Sequence, residues 1–315
     1  MGAIRVAPED GSFGIKMREG HMADGLIENV SDTAFWVAYY RAVETRRPDA
    51  LFQDPFAGAL AGEQGKKIAE KMPMRFMTSW VIAIRTRIID EYIQMAIADG
   101  VEAVVNLGAG LDARPYRMDL PKSFLWIEAD YPRMIEYKES RLRNETPRCT
   151  LERLPVDLAN PAERRKLLAD VVARGKKLLI LTEGVIPYLS VQEVGALADD
   201  LKAMSHARYW ITEYLSPVAI KFRERGGISR KTMNAPLKFK PADWFGFFRE
   251  HGWVVKEMRY LSDEGERLNR PVRAPLLLKV IMKTRTLLAS KEKREALKKV
   301  AGYALLEPAK TSSTR

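Results

Sequence analysis

Fourteen residues, Val101-Glu102-Ala103-Val104-Val105-Asn106-Leu107-Gly108-Ala109-Gly110-Leu111-Asp112-Ala113-Arg114, constrain this chain more than any others. Val101, Val104, Val105 and Leu107 favour the pleated conformation, and the run is too short for an ordinary helix, so it reads as a buried strand. Gly108 and Gly110 lack Cβ atoms, which lets the backbone turn sharply and lets a ligand approach its amides. Asp112 adds a carboxylate at the same lip. A strand that ends in this way belongs to an open α/β sheet, where ligands bind beyond the carboxyl ends of the strands. By itself the glycine pair suits any nucleotide-like ligand.

The flanking segments supply such a sheet. Upstream, a helix is expected from Ser31 or Asp32, both good N-caps, through Glu44. Pro48 and Asp54-Pro55 then mark residues 46–54 as a loop, and helices follow over 56–71 and about 78–98. The third helix gathers Val81, Ile84, Arg85, Ile88, Ile89, Tyr92 and Ile93 on one broad face. An arginine there needs an anionic partner, either a neighbouring acid such as Asp90 or Glu91 paired with Arg85 or Arg87, or a ligand. Downstream, strands are expected over 124–130, 151–156, 177–182 and 209–214, with helices over 161–173 and 191–204 and another opening at Pro132. This alternation predicts a mainly parallel sheet with helices on both faces. Residues 216–240 break the rhythm and read as a lid or insertion. A helix over 243–251 and strands over 253–261 and 276–282 complete the pattern, and one of these last two strands enters antiparallel.

Composition narrows the partners. The 315 residues are 46% hydrophobic and 30% charged, a globular balance with an ample core. No apolar run approaches the roughly 20 residues of a membrane helix, and residues 1–20 form no signal-peptide core and are expected to be loose. The single cysteine, Cys149, excludes an intramolecular disulfide and agrees with a cytoplasmic protein. The net charge is +11, of which residues 283–315 contribute +6, from nine Lys or Arg against three Glu; the rest of the chain carries only +5. Residues 290–306 have the charges of a solvated helix with an apolar stripe at Leu297, Val300, Ala301 and Leu305. Nothing in this pattern calls for nucleic acid or a membrane.

Four successive strands end in Gly108/Gly110, Asp130, Asp157 and Glu183. An acid after the second strand, 20 residues beyond Gly110, suits the two hydroxyls of a ribose, and Asp157 one strand over could accept from an adenine amino group. Gly108, Gly110 and Ala113 also spell a dinucleotide fingerprint, but Pro115 limits the helix that should follow, and Asp112 would repel a pyrophosphate. Three scattered histidines and one cysteine offer no metal-ligand spacing, and no Gly-x-Ser-x-Gly or Cys/His nucleophile signature is present. S-adenosylmethionine fits better. It carries adenine and ribose without phosphate, together with a sulfonium, an ammonium that Glu183 could hold, and a carboxylate for an arginine.

Asn106-Leu107-Gly108-Ala109-Gly110-Leu111-Asp112-Ala113-Arg114-Pro115-Tyr116-Arg117 resembles the signature of the leucine carboxyl methyltransferase-like family, which includes bacterial polyketide O-methyltransferases. Tyr40-Arg41-Ala42, Asp54-Pro55-Phe56-Ala57, Arg85-Thr86-Arg87 with Asp90, Ile127-Glu128-Ala129-Asp130-Tyr131-Pro132, Val156-Asp157-Leu158 and the block Thr182-Glu183-Gly184-Val185-Ile186-Pro187-Tyr188-Leu189 resemble it too. The resemblance implies an α/β fold: a Rossmann-like class I methyltransferase sheet of about seven strands, mostly parallel with the last antiparallel. An N-terminal helical cap over 1–98, a core over 99–285 with a lid insertion at about 216–245, and a basic helix or tail over 286–315 complete the expected organisation. It also implies S-adenosyl-L-methionine bound by Gly108, Asp130, Asp157, Leu158 and either Arg85 or Arg87, with Glu183 at the methionine end. Gly110, Asp112 and Tyr131, the last where many relatives have Gln, adjoin that set.

The expected reaction is in-line methyl transfer to a small-molecule hydroxyl or carboxylate. A protein C-terminal carboxylate, or a non-catalytic nucleoside-binding role, is the alternative. A carboxylate acceptor is already anionic near neutral pH, whereas a phenol needs a base. No strand-end histidine offers one, and Tyr188, Tyr214 and Arg41 near the mouth are not separable by sequence. The aromatic residues Phe35, Trp36, Tyr39, Tyr40, Trp244 and Phe247 either line an acceptor pocket or pack the core.

Overall fold

The computed structural model describes residues 33–225, 236–273, 275–276, 284 and 290–310. Seven strands form one sheet in the order β3-β2-β1-β4-β5-β7-β6. They are β1 (Ala103–Leu107), β2 (Leu125–Asp130), β3 (Thr150–Pro155), β4 (Leu178–Thr182), β5 (Ala207–Leu215), β6 (Trp253–Tyr260) and β7 (Ala301–Pro308). The first five run parallel, and β7 lies antiparallel to both β5 and β6.

Every residue of β1, β2 and β4 is buried, which is why these segments read as continuous apolar runs rather than alternating ones. Successive side chains nevertheless serve opposite cores. Val105, Ile127 and Ile180 pack with α6 (Pro161–Val172), α7 (Val191–Lys202) and α9 (Trp244–Glu250). Val104, Trp126 and Leu179 pack with α3 (Arg75–Ala98) through Ile84, Ile88, Tyr92 and Ile93. A third cluster joins α1 (Thr33–Thr45) and α2 (Ala57–Lys71) to Leu111, Ala113 and Tyr116 beyond β1 and to Met134 and Leu142 of α5 (Pro132–Leu142). Local signals fix the helix starts: Asn160 caps α6 before Pro161, and Ser190 with Glu193 forms a capping box on α7. Single-turn α4 (Arg114–Arg117) follows β1, α8 (Pro217–Arg225) follows β5 within the segment expected to be a lid or insertion, and α10 (Leu261–Arg267) follows β6.

The seventh strand differs from expectation. Most of 276–282 lies outside the described residues, as do 1–32 with the expected cap at Ser31 or Asp32. The strand is instead Ala301–Pro308, inside the segment expected to be a basic helix or tail. Among the described residues of that segment the helix is α11 (Lys291–Lys298), which buries no residue, as a solvated helix should. The proposed stripe therefore splits. Leu297 is exposed on α11, whereas Leu305 is fully buried in β7. A strand covered on both faces shows no alternation, so its apolar run is indistinguishable from a helix face by periodicity.

Gly302 permits this insertion. A Cβ there would lie 2.4 Å from the backbone oxygen of Arg259 on β6. Gly302→Ala is therefore expected to destabilise the fold by about 1–3 kcal/mol, read as a lower urea midpoint with an unchanged slope.

Candidate active site

The carboxyl ends of β2, β1, β4 and β5 lie side by side in the sheet, and α1 rests on the turn that leaves β1. At the exit of β1, Gly108 adopts φ +69, and a Cβ there would fall 2.5 Å from Val185 Cγ2. Its N–H donates to Ala129 O at 2.8 Å, holding the turn against β2. Asp130, buried at the end of β2, closes the other side. Its Oδ2 accepts from the Gly110 amide at 2.6 Å and its Oδ1 from the Tyr131 amide at 2.7 Å. Burial raises the Asp130 pKa, and these two amides oppose the rise. One carboxylate thus fixes the glycine turn and retains lone pairs for a ligand.

Asp157 follows β3, half-buried, and its Oδ1 accepts from the Ala159 amide at 2.9 Å. The exposed Tyr131 side chain hydrogen-bonds to it, so these two expected site residues are neighbours. Leu158 packs against the α6–α7 core, and its carbonyl accepts from Arg164 at 3.1 Å.

The arginines separate clearly. Arg87 is 42% exposed, pairs with Glu91 at 2.7 Å and stays away from the strand ends. Arg85 turns inward, its Nε 3.0 Å from Glu183 Oε1. That ion pair lacks the alignment of a hydrogen bond, so the buried Nε has no hydrogen-bond partner. Arg114 Nη1 takes the other Glu183 oxygen at 2.8 Å. Burial raises the Glu183 pKa, but Arg114 and Arg85 outweigh it and hold it below the usual range.

Asp112 does not stand free at the lip. It is buried, and accepts from Asn106 Nδ2 at 3.0 Å, from the Arg114 amide at 3.0 Å and from Arg114 Nη1 at 2.9 Å. Burial alone would raise its pKa, yet Arg114, with Lys138 and Arg41 farther off, holds it well below the carboxylate range. So neutralised, it does not repel a pyrophosphate. What leaves a pyrophosphate without a cradle is α4, only four residues long with Pro115 in its first turn.

From Arg114 the ionic contacts continue outward. Its Nε donates to Asp90 Oδ1 at 2.7 Å, and Arg117 grips the same Asp90 with two bonds of 2.7 and 2.8 Å. Arg117 Nε lies 3.8 Å from Asp54, which accepts from Arg41 Nε at 2.9 Å, and Arg41 also donates to the Leu111 carbonyl. Arg41 is therefore committed to this chain of contacts. Four guanidinium groups face four carboxylates, and their charges balance.

Glu213 is the residue that sequence reasoning missed. It sits at the end of β5, one register step beyond the pair Thr182–Thr212 and beside Glu183 and Gly184. Its Oε2 accepts from the Gly184 amide at 3.3 Å, and its buried Oε1 has no hydrogen-bond partner. Burial pushes its carboxyl up to about 7 against the pull of the Glu213 and Gly184 amides and of Arg85. The rule that gathered Asp130, Asp157 and Glu183 would have found it, had it been extended to the fifth strand.

The aromatic residues fall into two sets. Trp36 and Tyr39 each contact Tyr40 on α1, while Trp244 and Phe247 pack with Phe245, Phe248 and Tyr214 around α9. Phe35, Trp36, Tyr40 and Trp244 are buried, so for these four the packing role holds.

The sheet order, the glycine exit of β1 and the acid ends of its neighbours define a class I methyltransferase. Two solved structures share the fold: a DUF574 family protein from Streptomyces avermitilis and a "putative methyltransferase" from Thermobifida fusca. Their TM-scores are both 0.50, at 12% and 15% identity, covering 88% and 91% of this chain and 97% of each of theirs. The sequence model of the leucine carboxyl methyltransferase family matches residues 34–202, and the chain belongs to that family. It is 30% identical over 284 residues to a protein of Mycobacteroides abscessus named "Putative S-adenosyl-L-methionine-dependent methyltransferase", covering 78% of this chain and 91% of that one. A protein of the same name from Mycobacterium avium is 31% identical over 279 residues, covering 78% and 86%.

Two stability measurements test the electrostatics. Arg114→Leu strands Asp90, Asp112 and Glu183 and is expected to cost about 3–5 kcal/mol, while Arg87→Leu, at a half-exposed pair, stays within about 0.5 kcal/mol; urea denaturation of both separates them. Glu213 keeps its proton in the folded state over a pH range in which the unfolded chain has lost it. Its cost therefore grows from about pH 4.5, the ordinary glutamate value, to about 7 and then levels off. Glu213→Gln removes that cost, so its stability relative to the native chain should rise across this window, by about 3 kcal/mol at most, and match it below.

Proposed function

We propose that this S-adenosylmethionine-dependent methyltransferase methylates a carboxylate or hydroxyl of a small molecule. The observation that carries the cofactor site is the Asp130 carboxylate, pinned by the Gly110 and Tyr131 amides at the end of β2 with acceptor capacity left over. The donor set fits a phosphate-free, zwitterionic ligand. Acids stand at the ends of β2, β4 and β5, and two buried polar atoms, Arg85 Nε and Glu213 Oε1, have no hydrogen-bond partner. In this reading Asp130 would accept from the ribose hydroxyls, and Asp157 from the adenine amino group in exchange for the Tyr131 hydroxyl. Gly108 and Gly110 would admit the ligand to the backbone, Leu158 would back the adenine, and Arg85 rather than Arg87 would hold the methionine carboxylate. Asp112 acts behind this set by holding Arg114.

The bound cofactor supplies an activated methyl group. The chain's part is to align it with the acceptor and exclude water, which are the main sources of acceleration for an in-line displacement. A carboxylate acceptor asks for no proton transfer. A small acceptor is supported by the cap, because α1 lies directly on the glycine turn: Arg41 binds the Leu111 carbonyl, and a Cβ on Gly110 would reach Ala34 Cβ at 3.2 Å. The division into cap, sheet core and segments after β5 is part of the same proposal, and so is a cytoplasmic site of action. Among the described residues no helix is long and apolar enough to cross a membrane.

Asp130→Ala should weaken S-adenosylmethionine binding at least about 100-fold by calorimetry, because two backbone donors and the ligand hydroxyls lose their acceptor together; equal binding would remove the assignment. Transfer of a tritiated methyl group into small-molecule but not protein fractions of an extract is expected. Label in protein C-termini would favour the carboxyl-methylating alternative, and label in neither would favour a binding module.

A further inference from the structure

The cap carries a cleft that the methyl-transfer site leaves unused. It lies between α1, the end of α2 and the start of α3, with a volume of about 280 Å³. That is just under the roughly 300–1,000 Å³ of sites for drug-sized ligands, and it suits a molecule no larger than an amino acid. Its interior is largely apolar, with Tyr39, Tyr40 and Val43 from α1 and Phe76 from α3 in the walls. Glu70 and Arg75 are exposed and so stand at its mouth, and neither is held in an ion pair among the described residues. The Arg75 charge is nevertheless felt inside: burial pushes the Tyr40 phenol up to about 12, and Arg75 opposes that rise. Residues 72–74 alone separate α2 from α3, and Met74 turns the chain at φ +52, a left-handed conformation costly for methionine. This strained turn sets an acid at the end of one helix beside a base at the start of the next.

The cleft is on the far side of α1 from the cofactor. Ala34 and Arg41 share the face of α1 that meets the glycine turn, whereas Tyr39 and Val43 lie about 160° around the helix from Arg41. A helix is about 10 Å across, and methyl transfer needs its reacting atoms about 3–3.5 Å apart. A small molecule in the cleft is therefore not the methyl acceptor.

We propose that this cleft is an effector site for a small α-amino acid with an apolar side chain, its carboxylate on Arg75, its ammonium on Glu70 and its side chain between Tyr39, Tyr40 and Phe76. Ser79, one turn beyond Arg75 on α3, adds a hydroxyl donor for the carboxylate. A zwitterion satisfies both charges at the mouth, which a simple anion or amine does not, and an aromatic side chain excludes water from the aromatic walls. Filling the space behind α1 holds that helix against the glycine turn, so the effector strengthens cofactor binding. This coupling, though not the amino-acid site itself, rests on the S-adenosylmethionine reading.

The test is calorimetry on the full chain with L-phenylalanine and two probes that share its ring but carry one charge each, 3-phenylpropanoate and phenethylamine. L-phenylalanine should bind about tenfold more tightly than either. Arg75→Gln should cost about tenfold for L-phenylalanine and 3-phenylpropanoate and leave phenethylamine unchanged, and Glu70→Gln should affect phenethylamine in place of 3-phenylpropanoate. Both side chains are exposed, so neither change threatens the fold. Three probes of equal affinity, or variants that bind L-phenylalanine as the native chain does, overturn the site. Saturating L-phenylalanine should raise the affinity for S-adenosylhomocysteine about fivefold or more, and S-adenosylhomocysteine should raise that for L-phenylalanine by the same factor. An unchanged S-adenosylhomocysteine affinity overturns the effector role. So does L-phenylalanine that displaces S-adenosylhomocysteine, or that itself gains a tritiated methyl group. If S-adenosylhomocysteine binds under neither condition, the cofactor reading fails, while the three probes still decide the amino-acid site.

Discussion

Burying charge is the dominant physical constraint on this molecule. Arg41, Asp54, Arg117, Asp90, Arg114, Asp112, Glu183 and Arg85 form one continuous run of contacts from α1 to the end of β4. Each charge removed from water costs several kcal/mol, and only close pairing with charge-assisted hydrogen bonds recovers it. The pairs come from five separate segments, so none is satisfied until the cap, α3, the glycine turn and the sheet are all in place. Such a run adds little net stability compared with an apolar core. Its consequence is geometric: misplacing any segment leaves a bare ion inside.

That constraint accounts for residues that the ligand alone would not require. Asp112 and Arg117 hold the framework, and Arg114 links Asp112, Asp90 and Glu183. Asp130 does comparable work without an arginine, using its two oxygens on amides from either side of the cleft. The glycine turn is therefore held by hydrogen bonds on both of Asp130's oxygens, while Glu213 Oε1 nearby is left without a partner.

The sheet was largely legible in the sequence because its central strands β1, β2 and β4, buried on both sides, appear as short runs ended by glycine or acid, and the edge strand β3 is set off by the Asp157 that follows it. The acids at 130, 157 and 183 were legible for the same reason. Side-chain direction was not. Arg85 and Arg87 are two positions apart on one helix, about 200° around its axis, and no local signal says which faces the sheet. Asp112 looked like a free carboxylate because its partners, Asn106 and Arg114, are recognisable only once the turn is folded. The strand 301–308 was hidden by a lysine-rich helix just before it, whose charge coloured the whole segment, and by its own two-sided burial.

The placement of that strand has a consequence for how the chain becomes a protein. β6 has no neighbour in the sheet other than β7, and β5 offers an open edge until β7 arrives. During synthesis, everything up to Tyr260 can exist while two strand edges stand unpaired beside the nascent active site, a state prone to wrong partnering. Glu213 and Tyr303, facing each other across that seam, are joined only once β7 has been made. Among the described residues β7 is the last strand along the sequence, so the buried pairing of Glu213 with Tyr303 is completed only after the glycine turn and the acid ends of β2 and β4 have been made.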